Sequence, residues 1–247
     1  MLLILFFIGL FNYGVLLNFG NLKLNYNDWP KEVMYLSTLK QALTNGEIPY
    51  HISKTFQSTN RFLAIPEVSF SPQIFALRFL SINNYILFNT FLMYFIGFLC
   101  CLTIKRKFKL SIFSFSVLFL LFNLNGHIIS HISSGHYMWL GYFFLPLFFL
   151  FIFELLEKGN TAILPIKLSF VLFAIFLQGS FHIYVWCLIF MVLLMIFSRK
   201  YLKPISLAIL FSFLLLSFRL FPAFITYWDQ LYTHTRGYFS IQNLLES

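Results

Sequence analysis

Apolar runs of about 20 residues, the length a bilayer-spanning helix needs, recur along this chain at short spacing. That recurrence points to a polytopic membrane protein. Composition agrees, because 60% of the residues are hydrophobic and 10% charged, against roughly 25% charged in soluble domains. Mean hydropathy is +0.81. The expected fold class is therefore all-α, a transmembrane helical bundle built as a single membrane domain over residues 1–247. The 36 phenylalanines are read as compositional bias, so no argument is hung on any one of them.

Seven spans are expected: Leu2 to Leu17, Tyr85 to Ile104, Leu110 to Phe122, Tyr137 to Phe153, Ile166 to Leu177, Phe181 to Phe197 and Ile205 to Phe221. Short loops rich in Lys and Arg stay cytoplasmic. Lys105, Arg106, Lys107 and Lys109, then Lys158 and Lys167, then Arg199, Lys200 and Lys203 all fall on one side of a seven-span chain. The N-terminus is then expected in the cytoplasm, as the start of a retained first span rather than a cleaved signal peptide. The formal net charge of +9 is assigned to orientation, and nucleic acid is not implied.

On the opposite, extracytoplasmic side the same count places the long first loop, the stretch NGHIISHISSGH, the turn from Gln178 to His182 and the tail at 222–247. A loop as long as 19–84 is usually functional, and this one predicts two helices of its own. Asp28-Trp29-Pro30 opens the first, Tyr35, Leu36, Leu39, Ala42 and Leu43 recur at helical spacing, and Asn45-Gly46 stops it before Pro49. Lys31, Glu32, Lys40 and Gln41 are expected on its polar face. Ser71-Pro72 opens the second, through Ile74, Leu77, Arg78 and Leu80. Both are read as amphipathic helices on the membrane surface.

The polar residues of that side are the candidate site. Asp28 reads as a helix N-cap or as a general base at the membrane mouth. His127, His131 and His136 stand at spacings of four and five. In a helix the first two share a face, as two zinc ligands can, yet Gly126 and Gly135 flank them and no Glu follows the first His as a metalloprotease motif demands. The other readings are polar rings at a span end, or anion binding at a helix start formed by Ser134 and its neighbours, with His136 adding a donor. His182, with Gln178 and Ser180, could complete the same pocket. Arg219, near the end of an apolar run, must pair or snorkel. With Arg61, Arg78 and Arg236 it is a candidate for anionic substrate. The three cysteines, Cys100, Cys101 and Cys187, lie in apolar runs without metal spacing, so no protein metal site is assigned.

Two stretches, NDWPKEVMYLSTLKQALTNGEIPY followed by SPQIFALRFL, and NGHIISHISSGHYMWLGYFFLPL, carry a resemblance. A short cytoplasmic start, one span, then an acid in a long loop of two surface helices resembles the C-type (GT-C) superfamily of polytopic glycosyltransferases. The resemblance covers that family's conserved seven-span module, and the tail at 222–247 would open its variable module. It implies transfer of a sugar from a polyprenyl-phosphate donor to an extracytoplasmic acceptor, with Asp28 as base. Apart from the resemblance, the residues themselves offer Ser134, His136, His182, Arg219 and Arg61 as the places to look for phosphate contacts. Glu32, Glu67 and Asp229 are weak matches to a second acid. No cofactor is firmly implied and a divalent metal is left open. Membrane lipids are the expected partners. The competing expectation is a non-catalytic or truncated membrane subunit that binds protein partners in a larger assembly.

Overall fold

A computed structural model describes residues 1–47, 70–158 and 162–228. Among them every regular element is helical. The chain forms α1 (Leu2–Leu16), α2 (Trp29–Asn45), a 3₁₀ segment Pro72–Arg78, α3 (Ile82–Lys107), α4 (Ile112–Asn123) and α5 (Gly126–Ser133). A second 3₁₀ segment, Tyr137–Phe144, leads into α6 (Leu145–Lys158), followed by α7 (Ile163–Leu177), α8 (Phe181–Phe197) and α9 (Leu202–Trp228).

Local chemistry sets most of these ends. Ser81, Ser111 and Asn125 each accept a backbone N–H from the first turn of α3, α4 and α5, satisfying donors that a helix start leaves open. Gly46 closes α2 in the left-handed conformation at φ 74°, where glycine carries no Cβ penalty. Pro146 has no N–H to continue an α-helix backwards. The chain before it takes the tighter 3₁₀ form, and the two together make up the stretch expected to span from Tyr137.

Four stretches are long and apolar enough to cross a membrane: Ile82–Lys107, Ile112–Ser133, Tyr137–Glu157 and Arg199–Pro222. The other three apolar helices, α1, α7 and α8, have 15, 15 and 17 residues. At about 1.5 Å per residue they fall short of a hydrocarbon core about 30 Å thick. Large apolar side chains cover the outside of the bundle, with Phe113 75%, Leu121 71% and Phe197 84% exposed. A surface of that kind is matched to lipid rather than water. The protein is a multi-pass helical membrane protein by these criteria. Helix α9 runs on through Pro222 to Trp228, so the tail expected from residue 222 starts inside a helix.

The two ends of the bundle differ in chemistry. At one end Lys107 Nζ meets Glu157 Oε2 at 2.5 Å, and the Tyr201 hydroxyl donates to the Leu156 carbonyl at 3.3 Å. These contacts gather the three basic connections. At the other end lie Asp28, residues 125–139 and the turn between α7 and α8, the last joined to the 3₁₀ segment by the Gly141 N–H donating to Ser180 Oγ at 2.9 Å. Below them the Gln73 amide donates to Asn89 Oδ1 at 3.1 Å and to Gln178 Oε1 at 2.7 Å, which satisfies two buried amide side chains.

Candidate active site

Helix α2 is held to the turn after α5 by its first residues. The Asp28 N–H donates to the Ser134 carbonyl at 3.1 Å, and the Trp29 indole N–H donates to the Ser133 carbonyl at 3.1 Å. Trp29 is fully buried. The approach is possible because residue 135 is glycine. It stands at φ +93°, and a Cβ there would lie 2.7 Å from the Trp29 nitrogen.

Asp28 occupies the N-cap position, but its carboxylate makes no capping bond. It accepts a hydrogen bond from His136 Nε2 at 2.5 Å. Since a carboxylate only accepts, that ring nitrogen carries a proton, and Nδ1 of His136 faces Nδ1 of His131 at 2.9 Å. One proton lies between those two nitrogens. A neutral His136 accepts it from His131, and a protonated His136 donates it. Asp28, His136 and His131 form one hydrogen-bonded line, with Asp28 and His136 both half-exposed.

Both nitrogens of His136 have partners within the protein. The printed contacts of the carboxylate, from His136 and Lys31, are to Oδ2. The amides expected to cradle an anion are also spoken for. Ser134 N–H donates to the Ser130 and His131 carbonyls, and His136 N–H to that of His131. Ser134 is the C-cap of α5 and His136 the N-cap of the 3₁₀ segment Tyr137–Phe144, so the stretch ends one helix and opens the next.

His131 lies flat on Trp139, with ring centroids 4.0 Å apart and planes 9° apart. His127 meets His131 edge-on at 4.4 Å. His182 runs parallel to the same indole at 5.7 Å. The structure thus brings Asp28, His136 and His182 into one connected group and adds His131 and Trp139. The signal for His131 was its spacing of five from His136; the signal for Trp139 was weak, a lone aromatic among many. Among the described residues no group of three His, Cys, Asp or Glu side chains is disposed to hold a metal ion.

Arg219 is placed differently. It is 1% exposed, with its guanidinium over the rings of Phe70 at 5.7 Å and Phe176 at 6.0 Å. It is a buried cation on α9, packed on Phe176 near the end of α7, and not a headgroup-facing arginine. Arg61, Arg236, Glu67 and Asp229 lie outside the described residues. The cation next to Asp28 is Lys31, 3.8 Å from Asp28 Oδ2 and 3.4 Å from Glu32 Oε1.

Glu32 was expected on the solvent face of α2. It is 2% exposed instead. Burial pushes its carboxyl above the usual carboxylate range; Lys31 pulls it back, Asp28 adds to the rise and His136 opposes it. No family model, curated protein or solved structure matches this chain at a significant level.

Proposed function

We propose that the chain is a membrane glycosyltransferase of the C-type, moving a sugar from a polyprenyl-phosphate donor to an extracytoplasmic acceptor. The observation that carries the reading is the 2.5 Å bond between His136 Nε2 and Asp28 Oδ2. An aspartate oriented by an imidazole, half-open to the outside, is the arrangement a general base needs. In this reading all seven apolar helices cross the bilayer, the N-terminus is cytoplasmic, and α2 lies on the outer membrane surface.

The acceptor hydroxyl gives its proton to Asp28 Oδ1 as its oxygen attacks the anomeric carbon. The new carbon–oxygen bond forms as the bond to the phosphate oxygen breaks, and polyprenyl phosphate leaves with the electron pair. Configuration inverts. The Lys31 ammonium beside Asp28 supplies positive charge for the departing phosphate. His136 is a positioning residue that aims Asp28 through its Nε2–H.

The test is transfer by the purified protein in lipid nanodiscs, offered a panel of radiolabelled polyprenyl-phosphate hexoses. Asp28→Asn should lower turnover by about 10²–10⁴-fold, the span of general base catalysis, with its melting temperature unchanged. His136→Asn should cost less and shift the pH profile. Equal turnover by the wild type and Asp28→Asn would sink the assignment. A chain that transfers nothing and purifies only with other proteins would be an assembly subunit instead.

A further inference from the structure

The ring cluster beside the acid–base line is larger than proton transfer requires. Trp139 touches three imidazoles and a second indole: His131 at 4.0 Å, His127 at 5.0 Å, His182 at 5.7 Å and Trp186 at 5.4 Å. Trp139 itself is 9% exposed while Trp186 is 53% exposed. His127 and His182 are exposed as well. Trp186 and His182 stand four residues apart on α8 and share a face.

The chemistry of this surface selects its ligand. An indole face carries negative quadrupolar charge and repels an anion, so the flat part of the platform disfavours phosphate. Neutral imidazole offers one donor and one acceptor, which suits a hydroxyl that does both. A molecule with an apolar C–H face and a rim of hydroxyls matches an exposed indole with the His127 ring 6.5 Å away and His182 one turn back along α8. That molecule is a pyranose.

We infer that Trp186, with His127 and His182, forms a sugar-ring subsite, in which the C–H face of a hexose stacks on the indole and its hydroxyls bond the imidazoles. Trp139 and His131 connect this platform to His136 and Asp28 by successive ring contacts of 5.4, 4.0 and 5.2 Å. The subsite rests on the transferase reading for its purpose, but its occupancy can be measured without turnover.

The experiment is saturation-transfer NMR of the full chain in nanodiscs with a panel of free methyl hexopyranosides, on wild type, Asp28→Asn, Trp186→Leu and Trp186→Phe. Wild type and Asp28→Asn should saturate the ring C–H protons of at least one glycoside. Trp186→Leu should weaken that binding about tenfold, and Trp186→Phe should keep part of it. No contact with any glycoside, or equal contact after Trp186→Leu, overturns the subsite. A lower melting temperature with sugar contact unchanged makes Trp186 a membrane-interface anchor and overturns it too. Failure of Asp28→Asn to lose transfer refutes the catalytic reading by a separate measurement.

Discussion

Glu32 is a carboxyl folded into a place that opposes its charge. It is 2% exposed, its Oε1 accepts no hydrogen bond among the described residues, and the nearest cation is Lys31 at 3.4 Å. Burial raises its proton affinity, and the Asp28 charge adds to that effect while Lys31 and His136 work against it. The folded state therefore binds this proton more tightly than the unfolded chain does. Its stabilising contribution is complete below the ordinary Glu value and is lost as pH rises through the raised one. Glu32→Gln should remove that loss, so the difference in melting temperature between variant and wild type should grow in the variant's favour from about pH 4 to about pH 8. A gain of a few degrees at neutral pH is expected, read by thermal unfolding in detergent. A difference that is flat or reversed across the range would show that Lys31 fully compensates the buried charge. The sequence pattern left this residue ambiguous for a physical reason. The inner positions of α2 are Trp29, Glu32, Leu36 and Leu39, a spacing of three, four and three that admits Glu32, whereas its charge argued for solvent.

Capping and turn chemistry are local, which is why the element ends of α2 were legible: Pro30 in its first turn, Gly46 beyond its last. What α2 docks against was not legible, because the partners of Asp28 and Trp29 lie more than a hundred residues along the chain at 133–136. Loop charge put both stretches on one side of the membrane, and only the folded chain joins them. The joint depends on Gly135. Its positive φ is strained for any other residue, and a Cβ would press on the Trp29 nitrogen and the Asp28 carbonyl carbon, at 2.7 and 3.0 Å. Gly135→Ala should cost about 1–3 kcal/mol for the backbone conformation and displace the start of α2. Transfer should fall further than stability, because Asp28 loses its partner before the bundle melts. The pair of readouts is turnover in nanodiscs and the unfolding midpoint in detergent. A variant as active and as stable as wild type would mean that α2 needs no such close approach. The 3₁₀ form of Tyr137–Phe144 was missed because an apolar run has no mark of helix type, although Pro146, whose missing N–H suits a helix's first turn, was a signal for the start of α6.

At the scale of the whole molecule, four stretches are long enough to cross the bilayer and three apolar helices are shorter. Composition made a multi-pass helical bundle legible, since nothing else buries so apolar a chain. The crossing count was less so, because length is the criterion and α1, α7 and α8 are short at 15, 15 and 17 residues. The ends of α8, however, reach opposite poles of the bundle. The α7–α8 turn presents His182 to Trp139 at the Asp28 end, while the residues after α8 reach the basic end through Tyr201 and Leu156. A helix joining those poles must traverse the bundle even if the bilayer thins or its flanks snorkel to meet it. The native cysteines are buried, with Cys100, Cys101 and Cys187 6%, 1% and 3% exposed, so a new surface thiol will dominate labelling by a membrane-impermeant maleimide. In intact cells Gln41→Cys, His127→Cys and His182→Cys should label, whereas Arg106→Cys, Lys203→Cys and an N-terminal epitope tag should be reached only after permeabilisation. Labelling of His182→Cys and Lys203→Cys from the same side would remove α8 from the crossing helices, and an accessible N-terminal tag would remove α1. Either result would also set the basic end and the acid–base end in a different relation to the bilayer, and a lipid-borne donor could then no longer meet Asp28 from outside.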